Sequence, residues 1–285
     1  MVAFEVPEVD YTQYTNRQLV AIPLVVLALA LVVLAAWWAM TGSPVALGID
    51  FTGGSEVTVE TTLSQSEVRA AFDEPVVSVQ GAQDNQYIVT FDSANIDAIR
   101  TTVDSNPDME RLRSGRTSPI FGEENQLMAV VGVGVAFLGM SLLAFAFFRT
   151  FVPSIAIVIS AFSDIVIPVA IMNLVGIKLS LGTVAALLML IGYSVDSDIL
   201  LNNHVLRRSG GFYESTYRAM RTGVTMTLTS MAAMAVMAVT ATLFGIDLMA
   251  SIGLVLVLGL AADLMNTYML NVTLLRWYKY EGVNR

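Results

Sequence analysis

The chain has 285 residues, of which 55% are hydrophobic and 14% charged, with no cysteine and a formal net charge of −9. With a mean hydropathy of +0.67, these proportions exclude an ordinary soluble globular domain, a disulfide-stapled scaffold and a cysteine-based metal centre. The fold class they imply is an α-helical polytopic membrane protein. Most of its acidity sits in one segment and points to no nucleic-acid partner.

Residues 1–18 read as a cytoplasmic N-terminus and 19–40 as a first transmembrane helix. That apolar run is longer than a signal-peptide core, and no small-residue cleavage site follows Trp37 and Trp38, which suit an interfacial aromatic belt. It therefore reads as a retained anchor.

Residues 41–124 form the one stretch large enough to fold in water, with 14 acidic and 5 basic residues. The pattern predicts a strand (EVTVET, from Glu56), a helix (SQSEVRAAF, from Ser64), two strands (VVSVQ, from Val76, and YIVTF, from Tyr87) joined by a turn at 81–85, and a helix (ANIDAIRTTV, from Ala94). The order β-α-β-β-α is most of a split ferredoxin-like α+β unit. It offers no nucleophile, histidine or phosphate loop, so it reads as a binding surface. At its entrance LGIDFTGGSEV, from Leu47, places Gly48, Asp50, Phe51, Gly53 and Gly54 where the chain leaves the first span. Glycines there permit a sharp turn or close approach of a neighbour.

Residues 125–275 hold five further spans, near 126–148, 152–175, 181–203, 223–244 and 247–275, each long enough to cross a hydrocarbon core. A cytoplasmic segment lies near 204–222, and 276–285 form a cytoplasmic C-terminus. The basic residues fix the orientation. With the N-terminus inside, Arg17, Arg149, Arg207, Arg208, Arg218, Arg221, Arg276, Lys279 and Arg285 lie on the inner side, and the short outer loops hold Lys178. Both termini are then cytoplasmic, and residues 41–124 lie outside.

Within the fourth span, IGYSVDSDIL places Asp196 and Asp198 among apolar residues. A carboxylate near a helix centre costs about 3 kcal/mol on translocon scales, so both must meet protein or water. Two residues correspond to about 200° of helical rotation, so they serve different neighbours and do not chelate one metal ion. Asp198, nearer the inner end, reads as the cheaper of the two. Tyr193, Asp196 and Asn203 share a stripe, with Gly192 making room for an interhelical contact. Asp164 in the third span and Asp263 in the sixth bring the intramembrane carboxylates to four. Arg221 is the candidate cation, at the head of a hydroxyl row formed by Thr222, Thr225, Thr227, Thr229 and Ser230. Such groups can exchange protons, or they can simply hold helices together. His204 reads as solvated.

LGIDFTGG, FSDIVI from Phe162, VAALLMLIGYSVDSDILLNNHVLRR from Val184 and RTGVTMTLTS from Arg221 together resemble the SecF side of the SecD/SecF protein-export family, archaeal in type, within the RND superfamily. The resemblance covers nearly the whole chain. It implies a six-helix RND-type half that pairs with SecD, associates with the Sec translocon and its SecY-type channel, and assists unfolded polypeptides across the cytoplasmic membrane by proton movement. It implies no enzyme activity, cofactor or metal. The family's fourth-span pattern, Gly-Tyr-Ser-Leu-Asn-Asp-Thr, puts its proton-linked aspartate opposite Ser197, with Asp196 opposite the preceding Asn. The candidates for ion linkage are therefore Asp196, Arg221 and Asp164, with Asp198 behind them. The alternatives are a non-energised scaffold for SecD and the translocon, and half of an exporter of lipids or solutes.

Overall fold

The computed structural model describes residues 9–83, 85–93, 95–207, 211–244 and 246–282. Arg208 and Arg285, Asp84 of the predicted turn and Ala94 at the head of the second predicted helix lie outside them.

The first span, α1 (Asn16–Thr41), begins at a capping box in which Thr15 and Gln18 satisfy each other's backbone N–H groups. It ends at Gly42, whose φ of 79° supplies the left-handed cap. A short helix α2 (Ile49–Thr52) then leads into β1 (Gly54–Thr61), α3 (Gln65–Ala70), β2 (Val76–Gln83), β3 (Gln86–Phe91), α4 (Ile96–Ser105) and β4 (Met109–Thr117). The sheet order is β2-β3-β1-β4, with antiparallel neighbours throughout. Strand β4 thus completes the βαββαβ unit of which the sequence displays five elements. MERLRSGRT lacks the apolar alternation that would mark it as a strand, and as an edge strand it needs none.

Alternation in β1 turns Val57 and Val59 toward α3 and α4, where they pack with Val68, Val79, Val89, Phe91, Ile99 and Val103. The opposite face turns toward the connection at residues 176–180. There, Glu56, Thr58, Gln80 and Arg113 form one side of a cleft of about 580 Å³, with Lys178 and Asp247 on the other. Burial raises the Glu56 carboxyl above its ordinary value, against the pull of Lys178 and Arg113. Burial likewise lowers the Lys178 ammonium, opposed by Glu56.

The remaining spans are α5 (Pro119–Phe148), α6 (Phe151–Val175), α7 (Leu181–Arg207), α8 (Phe212–Leu243) and α9 (Asp247–Met265), which continues through a π-helical turn (Asn266–Asn271) into α10 (Val272–Trp277). Six helical segments are long and apolar enough to cross a membrane. In their most apolar stretches α6 and α7 are 67% and 56% buried, against 17% for α1 and α5 and 11% for α8, so the first two are the core of the bundle. Helix α8 starts well before the apolar run at 223, so most of 204–222 is helix. Glu214, Arg218 and Arg221 dilute its first turns and hide them from a hydropathy scan.

A buried carboxylate cluster

Helices α6, α7 and α9 bring polar residues together at mid-span. Asp164 comes from α6 and Asp198 from α7. Asp263 comes from α9, and the π-helical turn adds Asn266, Thr267 and Asn271. On α7, Ser194 lies three and four residues before Ser197 and Asp198. On the sixth span the polar positions 263, 266 and 267 repeat the same spacing, so each helix presents one polar edge. Close approach is made possible by Gly259, where a Cβ would lie 2.2 Å from Leu190 Cδ2. Asp198 is 0% exposed, and Asp164 and Asp263 are each 1% exposed.

Asp164 accepts from Ser194 Oγ and from Asn266 Nδ2, both at 2.5 Å. Ser197 Oγ lies 2.8 and 3.0 Å from the two oxygens of Asp263. Asp198 Oδ1 accepts from Asn271 Nδ2 at 2.8 Å and from Thr267 Oγ1 at 3.0 Å. The Thr267 hydroxyl also lies 3.2 Å from Asp263 Oδ1. It has one proton to give, so it serves one of the two carboxylates at a time. Asp198 Oδ2 is buried without a hydrogen-bond partner, as are the amide oxygens of Asn266 and Asn271. Among the described residues no Lys, Arg or His forms an ion pair with these carboxylates. No group of three or more metal-ligating side chains forms there or elsewhere among the described residues.

The other sequence candidates lie apart from this cluster. Asp196 is exposed on the opposite side of α7, as 200° of rotation from Asp198 requires. It lines a cavity of about 400 Å³ with Tyr193, Ser197, Asn203, Thr227 and Ser230. The expected Tyr193–Asp196–Asn203 stripe therefore exists, but Gly192 beside it faces open space rather than a neighbouring helix. Rotation about the helix axis, not depth along it, separates the pair: Asp198 turns into the bundle and Asp196 onto its open face. Arg221 is exposed and forms no ion pair among the described residues. Thr222, Thr225 and Thr229 bond back to carbonyls of their own helix, the plainer role of such hydroxyls. His204 is buried at 8% exposure, its Nδ1 2.8 Å from the Leu200 carbonyl, so it is not a solvated residue.

Sequence reasoning missed the neutral partners Ser194, Ser197, Asn266, Thr267 and Asn271. The signal lay in MNTYMLN, where two asparagines and a threonine interrupt an apolar span. The π-helical turn falls on that segment, as such turns often do at functional sites.

At the entrance to the α+β domain, Phe51 is 1% exposed. Gly53 and Gly54 take φ values of 75° and 111° as the chain turns into β1. A Cβ on Gly54 would lie 2.3 Å from the Phe91 carbonyl oxygen, so the pair meets both needs expected of it, positive φ and close approach.

Residues 97–281 match the family model described as protein export membrane protein SecD/SecF, C-terminal. Residues 38–62 match the SecD/SecF GG motif. The protein-export membrane protein SecF of Haloferax volcanii is 66% identical over the full length of both chains. That of Pyrococcus furiosus is 39% identical over 93% of each. Among solved structures, SecDF from Thermus, described as a translocon-associated membrane protein, superposes with a TM-score of 0.78 at 21% identity. The alignment spans all of this chain and 40% of that longer one, a likeness of fold. The chain belongs to the SecD/SecF family of protein-export membrane proteins.

Proposed function

We propose that this protein forms the SecF half of a SecD–SecF pair in the cytoplasmic membrane, and that proton movement through Asp164, Asp198 and Asp263 drives the pair. Its role is accessory, without enzyme chemistry. Beside a SecY-type channel, it would help draw or hold unfolded polypeptide on the outer side. Residues 41–124 lie outside and both termini inside, in keeping with the distribution of basic residues.

One observation carries the reading: three carboxylates from three spans share a buried cluster whose donors are all neutral. A proton arriving on Asp198 or Asp263 turns that carboxyl from acceptor to donor toward Thr267, freeing the Thr267 hydroxyl for the other carboxylate. This changes which of α7 and α9 holds the threonine. The open face with Asp196 and Tyr193 is where a partner half would sit, because a carboxylate left toward lipid is costly. Arg221 and Asp196 then act at that seam, with Asp164 behind it in the cluster.

The scaffold reading has its own support, since almost every carboxylate oxygen is already hydrogen-bonded and such bonds alone hold helices together. The two readings part in vesicles carrying the purified SecD–SecF pair. Asp164→Asn and Asp198→Asn should abolish proton uptake and reduce export of a secreted reporter, with assembly retained. Normal export by both variants would leave the scaffold reading in place.

A further inference from the structure

We propose that Asp50 is a positioning residue that couples α7 to the external domain, making Gly48–Gly54 the joint through which a shift of the carboxylate cluster reaches the sheet. The proposal rests on the coupling reading above and assigns the GG segment a role within it.

The segment is held on two sides. Toward α7, Leu47 and Leu179 form a parallel bridge. Gly48 N–H donates to the Leu179 carbonyl at 2.8 Å, and Leu179 N–H donates to the Ala46 carbonyl at 2.7 Å. The N–H of Leu181, the first residue of α7, donates to Asp50 Oδ2 at 3.0 Å. This N–H lacks a partner within its own helix, and a carboxylate there also suits the positive end of the helix dipole. Toward α5, Asn125 Nδ2 donates to the Asp50 carbonyl at 2.9 Å and Gln126 Nε2 to the Phe51 carbonyl at 2.6 Å. A Cβ on Gly122 would lie 2.8 Å from that Phe51 oxygen, so α5 lies directly against α2.

No slack follows. α2 ends at Thr52 and β1 begins at Gly54, with Gly54 tight against Phe91 of β3. A second tie runs from the same α6–α7 connection, where Lys178 Nζ donates to Ser78 Oγ at 3.1 Å and Thr90 Oγ1 at 3.3 Å on the sheet face. Asp198 lies on the α7 helix that begins at Leu181, about 25 Å further along at 1.5 Å per residue. A displacement of α7 at the cluster therefore moves its external end, and Asp50 passes that movement to β1.

The chain has no cysteine, so Glu110→Cys on β4 and Leu243→Cys at the end of α8, both exposed positions, accept a spin-label pair with no background from this chain, to be combined with a cysteine-free SecD. In the reconstituted SecD–SecF pair an imposed proton gradient should change the label distance. Asp50→Leu should abolish that change and lower export at least fivefold while proton uptake persists. Asp50→Asn, which keeps an oxygen acceptor for Leu181, should restore most of both. An assembled Asp50→Leu variant that moves and exports like the parent overturns the proposal alone. No distance change in the parent overturns the coupling reading and the proposal with it. Should Asp50→Leu fail to assemble, the Leu47→Cys/Leu179→Cys pair serves, because bridge-paired residues lie within disulfide reach. A joint that moves as one body keeps exporting when oxidised, whereas loss of export on oxidation with recovery on reduction overturns it.

Discussion

Ser197 on α7 lies within hydrogen-bonding distance of both carboxylate oxygens of Asp263 on α9, at 2.8 and 3.0 Å. Ser197 stands where the resembling family pattern carries an aspartate, and a carboxylate occupies nearly the same place, supplied by the neighbouring helix. Ser197→Asp alone puts two carboxylates against each other and should lower the detergent melting temperature and export. The exchange Ser197→Asp with Asp263→Ser should recover much of both.

Asp198 separates charge from packing. Asp198→Asn retains an oxygen toward Thr267 and Asn271, so the stability change should stay within about 1 kcal/mol while export fails. Asp198→Ala strands both donors in the bundle and should cost about 1–3 kcal/mol. Thermal denaturation of the two variants beside an export assay checks the difference.

Gly54 tolerates no side chain. Gly54→Ala combines a φ of 111° with a Cβ only 2.3 Å from the Phe91 oxygen. Strain of at least 1–3 kcal/mol is expected on the order-of-magnitude scale for forced backbone conformations. The α+β domain should lose protease resistance ahead of the spans.

Glu56 and Lys178 give the cleft beneath the sheet opposite pH responses. The folded Glu56 carboxyl is raised above 4.5, so the folded chain binds its proton more tightly than the unfolded one. Its contribution is greatest below that value and is lost as pH rises through the raised one. Lys178 is lowered from 10.5, so its burial penalty fades as pH rises through the lowered value and the amine becomes neutral. Glu56→Gln should therefore flatten the acid limb of a stability-versus-pH curve and leave the alkaline limb in place.

Asp196 should matter to partnership more than to folding. Asp196→Leu removes a carboxylate from the open face and should leave the melting temperature of the isolated chain unchanged or raised, while reducing recovery of SecD on affinity purification. Thr225→Val with Thr229→Val, on hydroxyls that donate to carbonyls of their own helix, should stay within about ±0.5 kcal/mol and leave export intact.

The architecture was legible because its signals are long: six apolar runs, and a five-element α+β pattern in the one polar segment. The edge strand β4 and the first turns of α8 escaped because charged residues cover them. Within the site, Asp164, Asp198 and Asp263 could be named from sequence, since a carboxylate in an apolar span is conspicuous. Their grouping could not. Whether 196 or 198 turns inward depends on the rotation of α7 against α6 and α9. Asn266, Thr267 and Asn271 become partners only because a π-helical turn re-aims them.

That turn also sets the phase of everything after it. Straightening it into regular α-helix with every residue kept would rotate α10 by about 100° relative to α9, because the turn takes up one residue more than an α-helical turn does. Asn271 would swing off Asp198. Arg276 would leave Asn16 and the backbone oxygens of Tyr11 and Tyr14, which it now holds. One extra residue thus keeps two distant bonding sites in register along a single span, one at mid-span and one at the N-terminal segment. A one-residue deletion within the turn should relax it to α-helix with Arg276 still in phase, whereas a one-residue insertion after Asn271 should swing Arg276 off its partners, as a slipped thread loosens every turn beyond it.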